Sequence, residues 1–176
     1  MQKTITTLLL CFVLTCCFAQ KQKKVSTYLT TQFNTTLYDV AKENNPWSIG
    51  LGLQAFLNII PKFKPSIELT GDAYLMNDKV LRTDAKGNKI DDLGGMVNLF
   101  AGVSYNPTKH IYISLLGGPS FLGGQTRLGI KPSVGFYFPK SQRWVAKISY
   151  INIFNRNKPT KEDFGSLSFA IGFKLF

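Results

Sequence analysis

The feature that most restricts what this chain can fold into is a period of two. Its last twelve residues, 165–176, read GSLSFAIGFKLF. Leu167, Phe169, Ile171, Phe173 and Leu175 fall on one face of an extended strand, and Ser166, Ser168, Ala170, Gly172 and Lys174 on the other. Successive side chains of a strand point to opposite sides, so this segment is apolar on one side and polar or small on the other. Left at a sheet edge, such a strand invites aggregation. A barrel that pairs its last strand with its first has no edge.

The same alternation recurs upstream. Trp47, Ile49, Leu51, Leu53, Ala55 and Leu57 oppose Ser48, Gly50, Gly52, Gln54, Phe56 and Asn58. Ile67, Leu69, Gly71, Ala73 and Leu75 oppose Ser66, Glu68, Thr70, Asp72 and Tyr74. Stretches 94–106, 126–138 and 144–151 repeat the pattern, and 111–121 does so less cleanly. The first strand is the weakest, lying within 33–40 and extending toward Ser26. Pro132 sits in mid-strand, where a missing donor predicts a bulge or kink. Connections near 59–63, 106–110 and 139–142 are tight. Those at 39–46, 77–93 and 155–163 are longer and polar, and the one at 122–125 is short, around Gly123-Gly124. Short turns alternating with longer loops are the rule in transmembrane barrels. An even strand count puts both termini on the short-turn side. The chain thus reads as all-β: an eight-stranded antiparallel up-and-down transmembrane β-barrel over 33–176. Segment 20–32 precedes it, partly ordered or forming the start of the first strand.

Residues 1–19 read as a signal peptide. Lys3 supplies the positive region, an apolar run follows from Ile5, and Cys17-Phe18-Ala19 precedes a cleavage that leaves Gln20 first. An anchor helix fits less well, because the run is short and polar residues follow at 20–24. Lipoprotein processing at Cys16-Cys17 lacks the usual small residue before the acylated cysteine. Cys11, Cys16 and Cys17 are the three cysteines of the chain. The mature protein is therefore expected to have no thiol for a disulfide, a metal or nucleophilic attack.

Charged residues make up 18% of the chain, below the roughly 25% of soluble domains. A net charge of +11 suggests nucleic acid as a partner. The cations are spread along the chain and follow an export signal, so no nucleic-acid partner is expected.

Glu68, Asp72, Lys131 and Lys147 all fall on the non-apolar faces of their strands, so they are expected to form a charge network inside the barrel. At i and i+4 on one strand, Glu68 and Asp72 stand about 13 Å apart, too far for the direct partnership of a glycosidase pair. Trp47, Tyr105, Phe138, Trp144, Tyr150 and Phe154 lie near strand ends, where aromatic girdles sit. His110, the only histidine, lies by a tight turn; a catalytic role would need a partner, with Ser114 the nearest candidate on its face. Gly117-Gly118 and Gly123-Gly124 mark bends and turns, not a phosphate loop, since no helix follows. No metal constellation and no cofactor motif appears. The longer loops carry Lys42, Lys79, Arg82, Lys86, Lys89, Arg156, Lys158 and Lys161, cations suited to phosphate groups.

Taken together, the signal peptide, the alternating strands and the terminal Phe176 resemble the small outer-membrane β-barrel proteins of Gram-negative bacteria, the OmpA/OmpX-like or porin-like group. The resemblance covers roughly residues 33–176 and implies a place in the cell outer membrane. It implies lipid and lipopolysaccharide as surroundings, and a terminal Phe176 read by the barrel-assembly machinery. Phe176 is out of phase with Ile171, Phe173 and Leu175, a departure from the usual pattern. A monomer with a structural, surface-interaction or narrow-pore role and no catalysis is expected. Two alternatives are a soluble exported lipocalin-like barrel binding an apolar ligand and a lipid-modifying outer-membrane enzyme.

Overall fold

Each apolar-alternating stretch forms a strand, and each strand pairs with the next in sequence. A computed structural model describes residues 24–40, 42–77, 83, 86–87, 92–139, 143–157 and 161–176; the signal-peptide expectation for 1–19 lies outside them. The strands are β1 (Val25–Tyr38), β2 (Trp47–Leu57), β3 (Phe63–Tyr74), β4 (Gly95–Tyr105), β5 (Ile111–Leu122), β6 (Gln125–Tyr137), β7 (Trp144–Asn157) and β8 (Glu162–Lys174). They close into one antiparallel barrel, with β8 hydrogen-bonded to β1. Their lengths of 11 to 14 residues exceed or match the roughly 9–11 that a tilted strand needs to cross hydrocarbon.

The two faces of this sheet are inverted relative to a soluble barrel. Outward-facing Ile49, Leu51, Leu115 and Leu128 are 59%, 61%, 63% and 63% exposed. In water each such side chain would forgo about 1.5–3 kcal/mol of burial; in lipid that loss disappears. Gln54, Glu68, Asn98, Lys131 and Lys147 are instead buried in the lumen. A lipocalin-like barrel needs the opposite arrangement, apolar inside and polar outside.

Three local features differ from the sequence reading. First, β1 begins at Val25 and is paired with β2 from its first residue, so the barrel starts within segment 20–32. Second, β7 and β8 extend into the 155–163 region, with Asn157 opposite Glu162. Third, no bulge forms at Pro132. It stays opposite Leu115 of β5, and pairing with β7 lapses between Ile130↔Asn152 and Ser133↔Ser149, then resumes in register. The ring thus forgoes bonding on the β7 side alone. The irregularities fall elsewhere, between Thr36 and Tyr38 and between Ile153 and Asn157. At the β5–β6 hairpin, Leu122 pairs with Gln125 across Gly123 and Gly124. Their φ values of 53° and 70° are those of a two-residue turn that demands a left-handed backbone twice, which glycine adopts without penalty.

Candidate functional site

The lumen has three layers. Near the tight turns, Tyr28, Phe56, Tyr112, Tyr137 and Val145 form an apolar cluster. Its rings meet edge-on or tilted, with Phe56 and Tyr112 centroids 5.2 Å apart and Tyr112 and Tyr137 5.1 Å apart. Tyr112 lies so close over Gly135 that a Cβ there would stand 2.1 Å from its Cε1. Toward the longer loops, Tyr74, Leu93, Met96, Phe100, Leu116, Leu122, Ile151, Ile153 and Phe164 form a second cluster.

Between the clusters lies the charge network. Glu68 Oε1 accepts from Lys131 Nζ at 2.6 Å and from Lys147 Nζ at 2.8 Å. Lys147 Nζ also donates to Gln54 Oε1 at 3.0 Å. All three charged side chains are essentially without solvent exposure. The closure of the barrel brings β3 opposite β6 and β7, so the two lysines reach the carboxylate across the lumen. Asp72 joins a different group. Its Oδ1 accepts from Gln32 Nε2 at 2.6 Å and from Asn34 Nδ2 at 2.7 Å, and its Oδ2 from Asn98 Nδ2 at 3.5 Å. The four expected lumen charges therefore divide into an ion triad and a carboxylate held by amides.

A further set of lumen residues shows only in the register. Lys64 on β3 stands opposite Ser104 on β4, which stands opposite Ser114, then Ser133, Ser149, Ser168, Asn34 and Ser48, and so to Tyr74 on β3. One row of inward positions thus circles the barrel and returns to its own strand ten residues on, from Lys64 to Tyr74. Six of the seven intervening residues are serines, and five of them, Ser104 to Ser168, lie on consecutive strands. Lys131 and Lys147, two positions before Ser133 and Ser149 on antiparallel strands, stand on opposite sides of this row. The serines were visible in the sequence as polar positions; their common row was not, because it depends on the shear of the closed sheet.

The residues expected to form girdles divide between the two ends of the barrel. Tyr105, Phe138 and Trp144 lie at the turn end, and Trp47, Tyr150 and Phe154 toward the loop end. Tyr105 packs against Phe63 at 4.8 Å and Trp144 against Phe173 at 5.1 Å; Trp47 stacks on Phe33 at 6.0 Å. Tyr150 also takes part in an outward polar cluster. The irregularity after Thr36 turns Tyr38 outward, where its ring covers Gly165. Its hydroxyl bonds both Tyr150 Oη and Asn152 Oδ1. Asn152 Nδ2 in turn donates to Asp163 Oδ2 at 3.3 Å.

The loop end is tied together. Asn45 Nδ2 donates to the carbonyls of Leu75 and Leu93, both at 2.9 Å, and its Oδ1 accepts from Leu93 N at 2.7 Å. Asn44 Nδ2 donates to Asp92 Oδ1 at 2.9 Å, and Arg156 Nε pairs with Asp39 at 3.0 Å. Lys42, Lys86 and Lys161 are exposed there; Lys79, Arg82, Lys89 and Lys158 lie outside the described residues. At the other end, Leu175 N donates to Thr27 O, and Leu175 and Phe176 are both exposed. His110 and Ser114 do not meet: Ser114 Oγ is buried and makes no hydrogen bond, while the His110 ring lies 6.3 Å from Phe136. Among the described residues no group of His, Cys, Asp and Glu gathers to hold a metal ion.

An apolar outer wall, a filled lumen with a charged middle layer and loops at one end define a small eight-stranded transmembrane β-barrel of the outer-membrane type. Solved structures share this fold. The chain is similar to Ail, the attachment invasion locus protein of Yersinia pestis, with a TM-score of 0.53, 12% identity, and 86% of this chain and 97% of that one covered. It is similar to Neisserial surface protein A, with a TM-score of 0.54, 12% identity, and coverage of 86% and 97%. A de novo designed transmembrane β-barrel matches with a TM-score of 0.51, 9% identity, and coverage of 88% and 98%. No protein-family model and no curated protein matches the sequence.

Proposed function

We propose that this chain serves in the outer membrane as a closed, non-catalytic barrel whose working surface is its latched loop end. The observation that carries this reading is the filled lumen. Two apolar clusters bracket a Glu68–Lys131–Lys147 triad with no exposed side chain, which leaves a solute no continuous polar path. Function then falls to the loop end, where Asn44, Asn45 and Arg156 tie the described loop residues to one another. Exposed Lys42, Lys86 and Lys161 suit contact with lipopolysaccharide phosphates. The barrel acts as a monomer, and its β8 with Phe176 is the segment offered to the barrel-assembly machinery.

Planar-bilayer recording tests the closed lumen. The purified barrel, shown to be folded by resistance to SDS until boiled, is expected to give no steady conductance. Steady ohmic steps from the wild-type protein would overturn this reading in favour of a narrow pore.

A further inference from the structure

The charge of this protein is sorted by end. All ten acidic residues lie either in the lumen, as Glu68 and Asp72, or in the loop-end segments 39–46, 75–94 and 155–163. Those segments together with 122–127 hold eight Asp and Glu against nine Lys and Arg, close to balance. The lumen holds two of each sign among Glu68, Asp72, Lys131 and Lys147. The turn-end segments 20–27, 57–65, 104–112, 136–145 and 173–176 hold nine Lys and Arg and no acidic side chain. By sequence, nine of the net eleven positive charges therefore fall in the turn-end segments.

These cations surround the barrel rather than forming a patch on one side. Lys24 stands before β1, Lys62 in the β2–β3 turn, Lys109 in the β4–β5 turn and Arg143 before β7, and all four are exposed. Each sits directly beside outward apolar groups. Ile59 and Ile60, 68% and 52% exposed, precede Lys62. Ile111 follows Lys109, and Trp144 follows Arg143. The turns are too short to carry a charge far from the wall. A long basic side chain next to an apolar or aromatic anchor places its head at the level of lipid phosphates. We infer that this rim binds the anionic phospholipid headgroups of the leaflet that surrounds the turn end. A ring that follows the circumference suits a lipid annulus. A protein partner docking from one side would call for a one-sided patch. The inference rests on the barrel spanning a membrane.

The test uses the full mature barrel in bilayers of phosphatidylcholine, alone or with a minor share of phosphatidylglycerol. Spin-labelled phosphatidylglycerol and phosphatidylcholine report which lipid the barrel holds at its surface. The wild type is expected to prefer phosphatidylglycerol, and salt should weaken that preference. Each basic residue near an anionic surface contributes about fivefold, so K24Q/K62Q/K109Q/R143Q should lose most of it. R127Q, which removes a loop-end cation at the start of β6, should retain it. Equal preference in wild type and the rim variant, or loss in the loop-end variant, overturns the assignment. Binding of polyglutamate to the inserted wild type without any lipid preference also overturns it, in favour of an acidic protein partner. SDS resistance is read on the same samples. A wild type that never becomes resistant in either bilayer refutes the membrane barrel itself, a different result from insertion without preference.

Discussion

The outer wall and the lumen are built from the same eight strands, yet they differ in how much each residue matters. The wall meets lipid, a solvent that asks only for apolar surface, so Leu51, Leu53, Val97 and Leu128 are interchangeable in kind. The lumen has no such latitude. Glu68 holds two ammonium groups, Asp72 three amides, and Tyr112 needs the missing side chain of Gly135. The difference teaches that a barrel's wall specifies its solvent, whereas its lumen specifies its particular packing.

Substitutions can break that contrast. The largest effect is expected from Glu68→Ala, which leaves Lys131 and Lys147 buried without their counter-charge. Loss of one partner of a buried pair costs about 3–5 kcal/mol, read as a lower denaturant midpoint for the barrel folded into vesicles. Replacing Glu68, Lys131 and Lys147 together by Leu should recover much of it, because the uncompensated charge is gone; a triple variant as unstable as Glu68→Ala would contradict the ionic account. Next comes Leu51→Arg in the middle of the wall, with about 2–4 kcal/mol lost. Equal stability of that variant in vesicles would mean that β2 does not face hydrocarbon. Gly135→Ala should cost about 1–3 kcal/mol by pushing Tyr112 aside, and Tyr112→Leu in the same chain should relieve part of the strain. The smallest change is Leu51→Ile, expected within about 0.5 kcal/mol of wild type. A loss comparable to Gly135→Ala would show that the wall too is specifically packed.

Much of this architecture was legible in the residues. Alternation identified which face of each strand is apolar, and placed Glu68, Asp72, Lys131 and Lys147 on the lumen side. The Gly123-Gly124 pair marked its hairpin because only that turn chemistry suits two left-handed residues. The start of β1 was harder to read, because Thr and Tyr alternate with little contrast over 26–32 and it is pairing with β2 and β8 that orders them. Pro132 was misleading as a bulge marker, since a strand can drop bonding on one side while keeping its register on the other. The bulge at Tyr38 left no sequence signal apart from the later use of its ring over Gly165.

Period two and the short and long connections are local properties. They determined by themselves that the chain reads as an up-and-down barrel with an apolar wall. Which lumen residues meet is not local. Glu68 reaches Lys131 and Lys147, and Asp72 does not, because closing eight strands with a ten-residue stagger turns each row of inward positions into a spiral. The stagger belongs to the hydrogen-bonded sheet as a whole. Only the tertiary structure could decide it, since each strand carries its own faces but not its offset from its neighbours.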